Sequence, residues 1–333
     1  MSNKPGLLSS RRAFLKAAPA ALVIGQTAAA QRGAVPRPTP APPGAPVTPP
    51  ETARVTSAVM LWSLSGTFEE KLAAAARAGL QAVELVNEQL AWSDAQLAEY
   101  KNLAQSYGLA MSAIVGNRDW LTQPVTMVNP AHREAFLNTV TEAIVWAKKL
   151  DVPQIIVLSG NQQPGMTREA QFASLVEGAK RGADLANAAG LQLILENLNG
   201  KVDHKGYFLT SARQALQAVK EVDSPHFRLL FDLYHEYVEN GDPTPLIPEA
   251  APYVAVFHVA DAPGRHDPGT GKMKWNDIYK TIANSRYSGY ITFEYLPQGD
   301  SVDSLIAAVT QMRADLNSAN PPAAAQTNAP PPV

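Results

Sequence analysis

From Val55 onwards the chain repeats one pattern eight times: a short run of β-favouring residues, then a segment with helical periodicity. The expected strands are Ala58–Leu64, Ala82–Val86, Ala110–Val115, Gln154–Ser159, Gln192–Asn197, Arg228–Tyr234, Val254–Val259 and Tyr290–Tyr295. The expected helices are Phe68–Ala78, Ser93–Tyr107, Ala131–Leu150, Arg168–Ala189, Ser211–Val222, Thr244–Ala251, Trp275–Asn284 and Val302–Leu316. Neighbouring parallel strands need a crossover, usually a helix, so strict alternation predicts a parallel sheet. Eight units favour closure into a single-domain (β/α)8 TIM barrel over an open sheet. Residues 55–317 suit that fold, for which about 250 residues is typical.

The punctuation agrees. Glycine follows the expected helix ends in Ala78-Gly79, Tyr107-Gly108 and Ala189-Gly190, where a left-handed residue turns the chain back towards the next strand. Ser93-Asp94 and Asn129-Pro130 carry helix-start chemistry.

Both ends of the chain read differently. Ser10-Arg11-Arg12-Ala13-Phe14-Leu15-Lys16, the apolar run Ala17–Ile24 and Ala28-Ala29-Ala30 predict a twin-arginine signal peptide over residues 1–30. Its apolar core is too short for a stable membrane span, so the expectation is a periplasmic protein handled by the twin-arginine translocation machinery. Residues 31–50 hold eight prolines, and residues 31–54 are expected to form a disordered linker. A Pro/Ala-rich tail is expected over 318–333.

Loss of the first 30 residues removes four bases and no acid, leaving 24 bases against 30 acids, a net charge of −6 with histidine neutral. A nucleic-acid partner is therefore not expected. The absence of cysteine excludes disulfides, thiolate catalysis and cysteine-ligated metal sites.

The chemistry gathers at four successive strand ends. Glu196, Asp232, His258 and Glu294 close expected strands and are spaced by 36, 26 and 36 residues, each about one strand-helix unit. Consecutive units would bring them to the C-terminal mouth, where such barrels carry their sites. Singly, each carboxylate reads equally well as a surface or ion-paired residue, and a lone histidine as a core residue. Four at matching positions point to a divalent-metal site. Three buried carboxylates repel one another, and a cation offsets that repulsion. The imidazole biases the choice towards Mn²⁺, Co²⁺ or Zn²⁺, with Mg²⁺ left open.

The segments Ile194-Leu195-Glu196-Asn197-Leu198-Asn199, Gly206-Tyr207-Phe208, Phe231-Asp232-Leu233-Tyr234-His235, Ala260 to Gly271 and Phe293-Glu294-Tyr295-Leu296-Pro297 closely resemble the hydroxypyruvate isomerase family, within the xylose-isomerase-like TIM-barrel superfamily. The resemblance is strong from Leu191 to Pro297 and architectural before that. It implies Glu196, Asp232, His258 and Glu294 as metal ligands, with Glu196 and Glu294 also acting as acid/base groups. His235 and Arg265 would contact substrate. One position departs: those isomerases usually carry glutamine where this chain has His258, and histidine there is similar to the ketose 3-epimerases.

The expected activity is interconversion of hydroxypyruvate and tartronate semialdehyde, or reaction of a related keto-sugar, through an enediolate. Two carboxylates would move the protons. The alternatives are a ketose 3-epimerase or an enzyme of 3-keto-glycosides on the same site. Further off are an AP-endonuclease-like phosphodiesterase, which the charge and the six histidines disfavour, and a non-catalytic sugar-binding barrel. Arg265 either clamps a substrate carboxylate or pairs with Asp261 or Asp267. Glu84 either enters the mouth or stabilises the barrel. Trp62 and Trp120 either wall the pocket or pack in the core, and Lys201 and His204 are within loop reach of substrate. The oligomeric state is left open.

Overall fold

The computed structural model describes residues 55–117, 122–123 and 125–319. The expected signal peptide, the linker, Trp120 and the tail beyond Ala319 lie outside them. Strands β1 (Thr56–Met60), β2 (Ala82–Leu85), β3 (Ala110–Val115), β4 (Gln154–Leu158), β5 (Gln192–Glu196), β6 (Phe227–Asp232), β7 (Val254–Val259) and β8 (Tyr290–Phe293) pair in parallel and close into a barrel in sequence order. Around them run α1 (Phe68–Arg77), α2 (Asp94–Ser106), α3 (Arg133–Leu150), α4 (Arg168–Ala189), α5 (Ala212–Val222), α6 (Leu233–Asn240), α7 (Ile247–Ala250), α8 (Trp275–Asn284) and α9 (Ser301–Asn317). Strands covered on both faces need no polar alternation, and β4, Gln-Ile-Ile-Val-Leu, is buried throughout. Among the described residues, no helix is long and apolar enough to cross a membrane.

Local chemistry sets the boundaries. Thr67 with Glu70 and Ser93 with Gln96 form capping boxes that start α1 and α2. Gly79, Gly108 and Gly190 take φ of 74°, 71° and 67°, as the turn back to the next strand requires. Several expectations shift: the first strand is Thr56–Met60 rather than Ala58–Leu64, because the chain turns into a 3₁₀ turn at Leu61–Ser63. The sixth strand stops at Asp232 because its side chain accepts the His235 backbone N–H and starts α6 at Leu233. The helix expected over Thr244–Ala251 is a string of single turns, α7 between two 3₁₀ turns, because Pro245, Pro248 and Pro252 withhold the N–H donors of a continuous helix. At the C-terminus, Ser318 caps α9 and Ala319 is buried, so the packed chain runs slightly past residue 317.

Register decides which side chains face inward together. Asp232 pairs with His258, and His258 pairs with Thr292, two residues before Glu294. Glu196 pairs with Leu230, two residues before Asp232. Thr292 pairs with Ala58, and Ala58 with Ala82, two residues before Glu84. Side chains alternate with a period of two, so Glu196, Asp232, His258, Thr292, Glu294 and Glu84 all share one face.

Candidate metal centre

The four residues expected at the strand ends converge: one ligating atom each from Glu196, Asp232, His258 and Glu294 lies within 4.8 Å of the others, and all four residues are buried. His258 stands between the two glutamates, its Nδ1 2.9 Å from Glu294 Oε2 and 3.5 Å from Glu196 Oε1. Main-chain locks hold the frame. Asn197 donates from Nδ2 to the Asp232 carbonyl and accepts the Asp232 N–H, both at 3.1 Å, tying the tips of β5 and β6. Tyr207 donates its hydroxyl to the Glu196 carbonyl at 3.1 Å.

Burying this much negative charge leaves its mark on the protonation states. Burial, with Glu294 and Glu196 nearby, pushes the Asp232 carboxyl up to about 8 against the pull of Arg265. Burial also raises Glu196, although His258 opposes it. Glu294 goes the other way: burial would raise it, but Arg265 and His258 overcome that and hold it at about 2. For His258, burial favours the neutral ring, and Glu84 and Glu294 overcome it, so its pKa rises well above the ordinary value. These are the marks of a pocket short of positive charge. Three buried carboxylate donors and one imidazole fit a divalent cation.

Arg265 and His235 complete the rim. Arg265 Nη2 lies 2.7 Å from Glu294 Oε2, and the guanidinium sits over the rings of Trp62 at 5.3 Å and Tyr234 at 5.7 Å. The expected alternative of a pair with Asp261 or Asp267 is not what the loop uses them for. Asp261 is buried and accepts from the backbone of Ala262, Gly269 and Met273 and from Trp275 Nε1. Asp267 accepts from Gln298 N. Together they fold the Pro-Gly-Arg-His run so that Arg265, at φ 59°, reaches the mouth. His235 Nδ1 accepts the Asn199 backbone N–H, and burial followed by Arg265 holds its pKa well below the usual value. The neutral ring therefore carries its proton on Nε2, 3.7 Å from Asp232 Oδ2, and among the described residues that atom has no hydrogen-bond partner. Among the same residues Arg265 Nε is likewise buried without a hydrogen-bond partner. Two buried donors without partners, on residues that border the same carboxylates, are what a substrate oxygen could satisfy.

The minor candidates separate. Trp62 Nε1 donates to Glu294 Oε1 at 3.0 Å, so this tryptophan belongs to the site. His204 packs edge-on against His235 at 5.2 Å, and burial and then Arg265 push its pKa down to about 4. Lys201 turns away, its ammonium on the Glu239 carbonyl. Glu84 lies under the cluster, with Oε2 2.9 Å from His258 Nε2. The sequence reading overlooked Thr292, whose hydroxyl reaches Glu84, and Asp203, which accepts from Asn199 Nδ2 and the Tyr234 hydroxyl. Thr292 could have been found from its two-residue spacing to Glu294. Asp203 sits in a loop, where no such spacing rule applies.

Metal ligands must be deprotonated, and the free protein at pH 7 holds protons on Asp232 and the His258 ring. Mn²⁺ loading at pH 7 is expected to release about one to two protons, with affinity rising between about pH 6 and 8. Calorimetric titration in buffers of different ionisation enthalpy measures this, and a pH-independent affinity contradicts it.

The family model of the xylose isomerase-like TIM barrel matches residues 72–314. A hydroxypyruvate isomerase of Escherichia coli is 32% identical over 169 residues, covering 51% of this chain and 65% of that protein. A 2-oxo-tetronate isomerase of Pectobacterium atrosepticum is 27% identical over 176 residues, covering 53% of this chain and 67% of that protein. The crystal structure of a D-psicose 3-epimerase from Clostridium cellulolyticum superposes with a TM-score of 0.67 at 19% identity, over 79% of this chain and 99% of that one, a likeness of fold.

Proposed function

Because the chain belongs to the xylose isomerase-like TIM barrel family, we propose that it is a metal-dependent isomerase of small keto acids or keto-sugars, resembling hydroxypyruvate isomerase. The observation that carries the reading is the pair Glu196 and Glu294. They flank His258 from β5 and from the end of β8, and their surroundings push one carboxyl pKa up and the other down. Two carboxylates with opposed proton affinities are the equipment for taking a proton from one carbon and delivering one to its neighbour. A divalent cation held by Glu196, Asp232, His258 and Glu294 would supply the positive charge that stabilises negative charge developing on the substrate oxygens. Arg265 and the His235 Nε2–H would orient those oxygens, and Trp62 would wall the pocket and hold Glu294.

The relatives named as isomerases of three- and four-carbon keto acids support a carboxylate-bearing substrate, for which the planar Arg265 fork is suited. The second reading, a 3-epimerase of neutral keto-sugars, is favoured by His258 in the ligand set. Both share the proton chemistry and differ in where the proton returns. We place the reaction in the periplasm on the strength of Arg11-Arg12 and Ala28-Ala29-Ala30.

One experiment tests the function. Protein lacking residues 1–30 and loaded with Mn²⁺ is offered hydroxypyruvate, ketoses and 3-keto-sugars in deuterated water, and the products are identified. The expected result is deuterium entry with migration of the carbonyl in a keto acid. Arg265→Lys should raise KM for a keto acid by about tenfold or more, the loss of a charge-assisted two-point contact, and should affect a neutral sugar less. Turnover of keto-sugars far above hydroxypyruvate, with the carbonyl unmoved, defeats the isomerase assignment in favour of epimerisation. Deuterium entry into none of them defeats both.

A further inference from the structure

Glu84 is a fully buried carboxylate that the proton chemistry above does not use. It ends in two hydrogen bonds. Oε2 lies 2.9 Å from His258 Nε2, and Oε1 accepts the Thr292 hydroxyl at 2.7 Å. The three residues come from β2, β7 and β8 and share the inward face that the register defines. Among the described residues, the ion pair recorded for Glu84 is with His258. A buried carboxylate needed only for barrel stability would be a costly choice where an apolar side chain would serve.

The geometry points to Glu84 as a positioning residue of the metal centre, keyed by Thr292, that fixes which nitrogen of His258 faces the cation. An imidazole has two nitrogens, and a ligating nitrogen must carry no proton. With Nε2 directed at Glu84, the ring proton is retained there, and Nδ1 is left as the lone-pair donor, 2.9 Å from Glu294 Oε2 and 3.5 Å from Glu196 Oε1. The hydroxyl of Thr292 holds the carboxylate plane so that Oε2 meets the ring. This inference rests on the metal-centre reading above and extends it one layer outward, to partners that set ligand orientation.

The test measures Mn²⁺ affinity of the substrate-free protein, with the thermal melt of each variant recorded alongside. Glu84→Gln is expected to weaken binding by about 10- to 100-fold, the range for loss of an outer partner of a ligating histidine. Thr292→Val, which keeps the shape and removes the hydroxyl, should weaken it by a smaller factor of several-fold. Because Thr292 acts through Glu84, the double variant should bind no more weakly than Glu84→Gln alone, a non-additivity that a general loss of stability would not produce. In Zn²⁺-loaded wild-type protein, the ¹⁵N resonances of His258 should place the proton on Nε2. Wild-type affinity in folded Glu84→Gln overturns the proposal. If that variant does not fold, wild-type affinity in Thr292→Val does so instead. Absence of divalent-cation binding by the wild-type protein overturns this proposal and the metal reading together, whereas unchanged variants beside a metal-binding wild type overturn this one alone.

Discussion

Asp232→Asn is expected to leave a folded barrel that no longer retains a divalent cation. Asp232 does two jobs with its two oxygens. Oδ1 accepts the His235 N–H at 2.7 Å and starts α6, while the carboxylate as a whole supplies charge to the cluster. Asparagine caps a helix about as well as aspartate, so the first role survives. The second does not, because an amide brings no charge. The loss in affinity should exceed the roughly 10- to 100-fold assigned to outer partners, since a direct ligand is weakened. The variant should also be no less stable without metal. The folded pKa of Asp232, about 8, lies above its ordinary value of 3.8. Its favourable contribution is therefore complete below about 3.8 and is lost as pH rises through about 8. Relative to wild type, metal-free Asp232→Asn should gain stability as pH rises across that window. Metal analysis of the purified variant and melts at pH 5 and pH 8 check both halves. Full metal stoichiometry at wild-type affinity would remove Asp232 from the ligand set.

How much of this could be read before the fold was known follows from where periodicity operates. Strands and helices with clean patterns and clear caps came through almost unchanged, α4 and α8 to the residue. The strand-end residues were legible because a parallel barrel converts sequence spacing into a common height at one mouth. Glu196, Asp232, His258 and Glu294 met as expected for that reason. What spacing does not encode is the contact each side chain makes on arrival. His235 was placed by resemblance, but its lone donor depends on Asn199 occupying the other ring nitrogen. Arg265 was open between a substrate carboxylate and a pair with Asp261 or Asp267, and its contact with Glu294, which neither reading named, goes with a loop in which Asp261 is already saturated by four donors. Glu84 was noticed at its strand end, yet its partner lies 174 residues away across the closed barrel. The turn into α6 was missed because Asp232 reads as a strand end and a ligand, while its capping role shows only when the next N–H is in place.

Glu196→Gln is the variant expected to separate metal binding from proton transfer, and the comparison with Glu294→Gln explains why. Glu294 is heavily committed: Oε1 accepts from Trp62, and Oε2 faces both Arg265 and His258. A glutamine there must turn its NH₂ towards at least one of those donors, so the variant disturbs the pocket as well as the chemistry. Glu196 has one charged neighbour at short range, His258 Nδ1 at 3.5 Å, and its backbone carbonyl is secured by Tyr207. Glutamine at 196 keeps the shape and an oxygen donor while removing the group that can carry a proton. As with Asp232→Asn, loss of a ligand's charge should weaken metal binding, so the variant is compared with wild type at Mn²⁺ concentrations that keep both loaded. Entry of solvent deuterium into product should fall by about 10²- to 10⁴-fold, the contribution of a positioned acid/base group. Because burial raises the Glu196 carboxyl, the wild-type rate should depend on pH through a group above the ordinary carboxylate range, and the variant should lose that limb of the profile. Near-normal exchange in metal-loaded Glu196→Gln, with the pH limb intact, would move the proton relay to another residue, and Glu294, held ionised by Arg265, would then have to act alone.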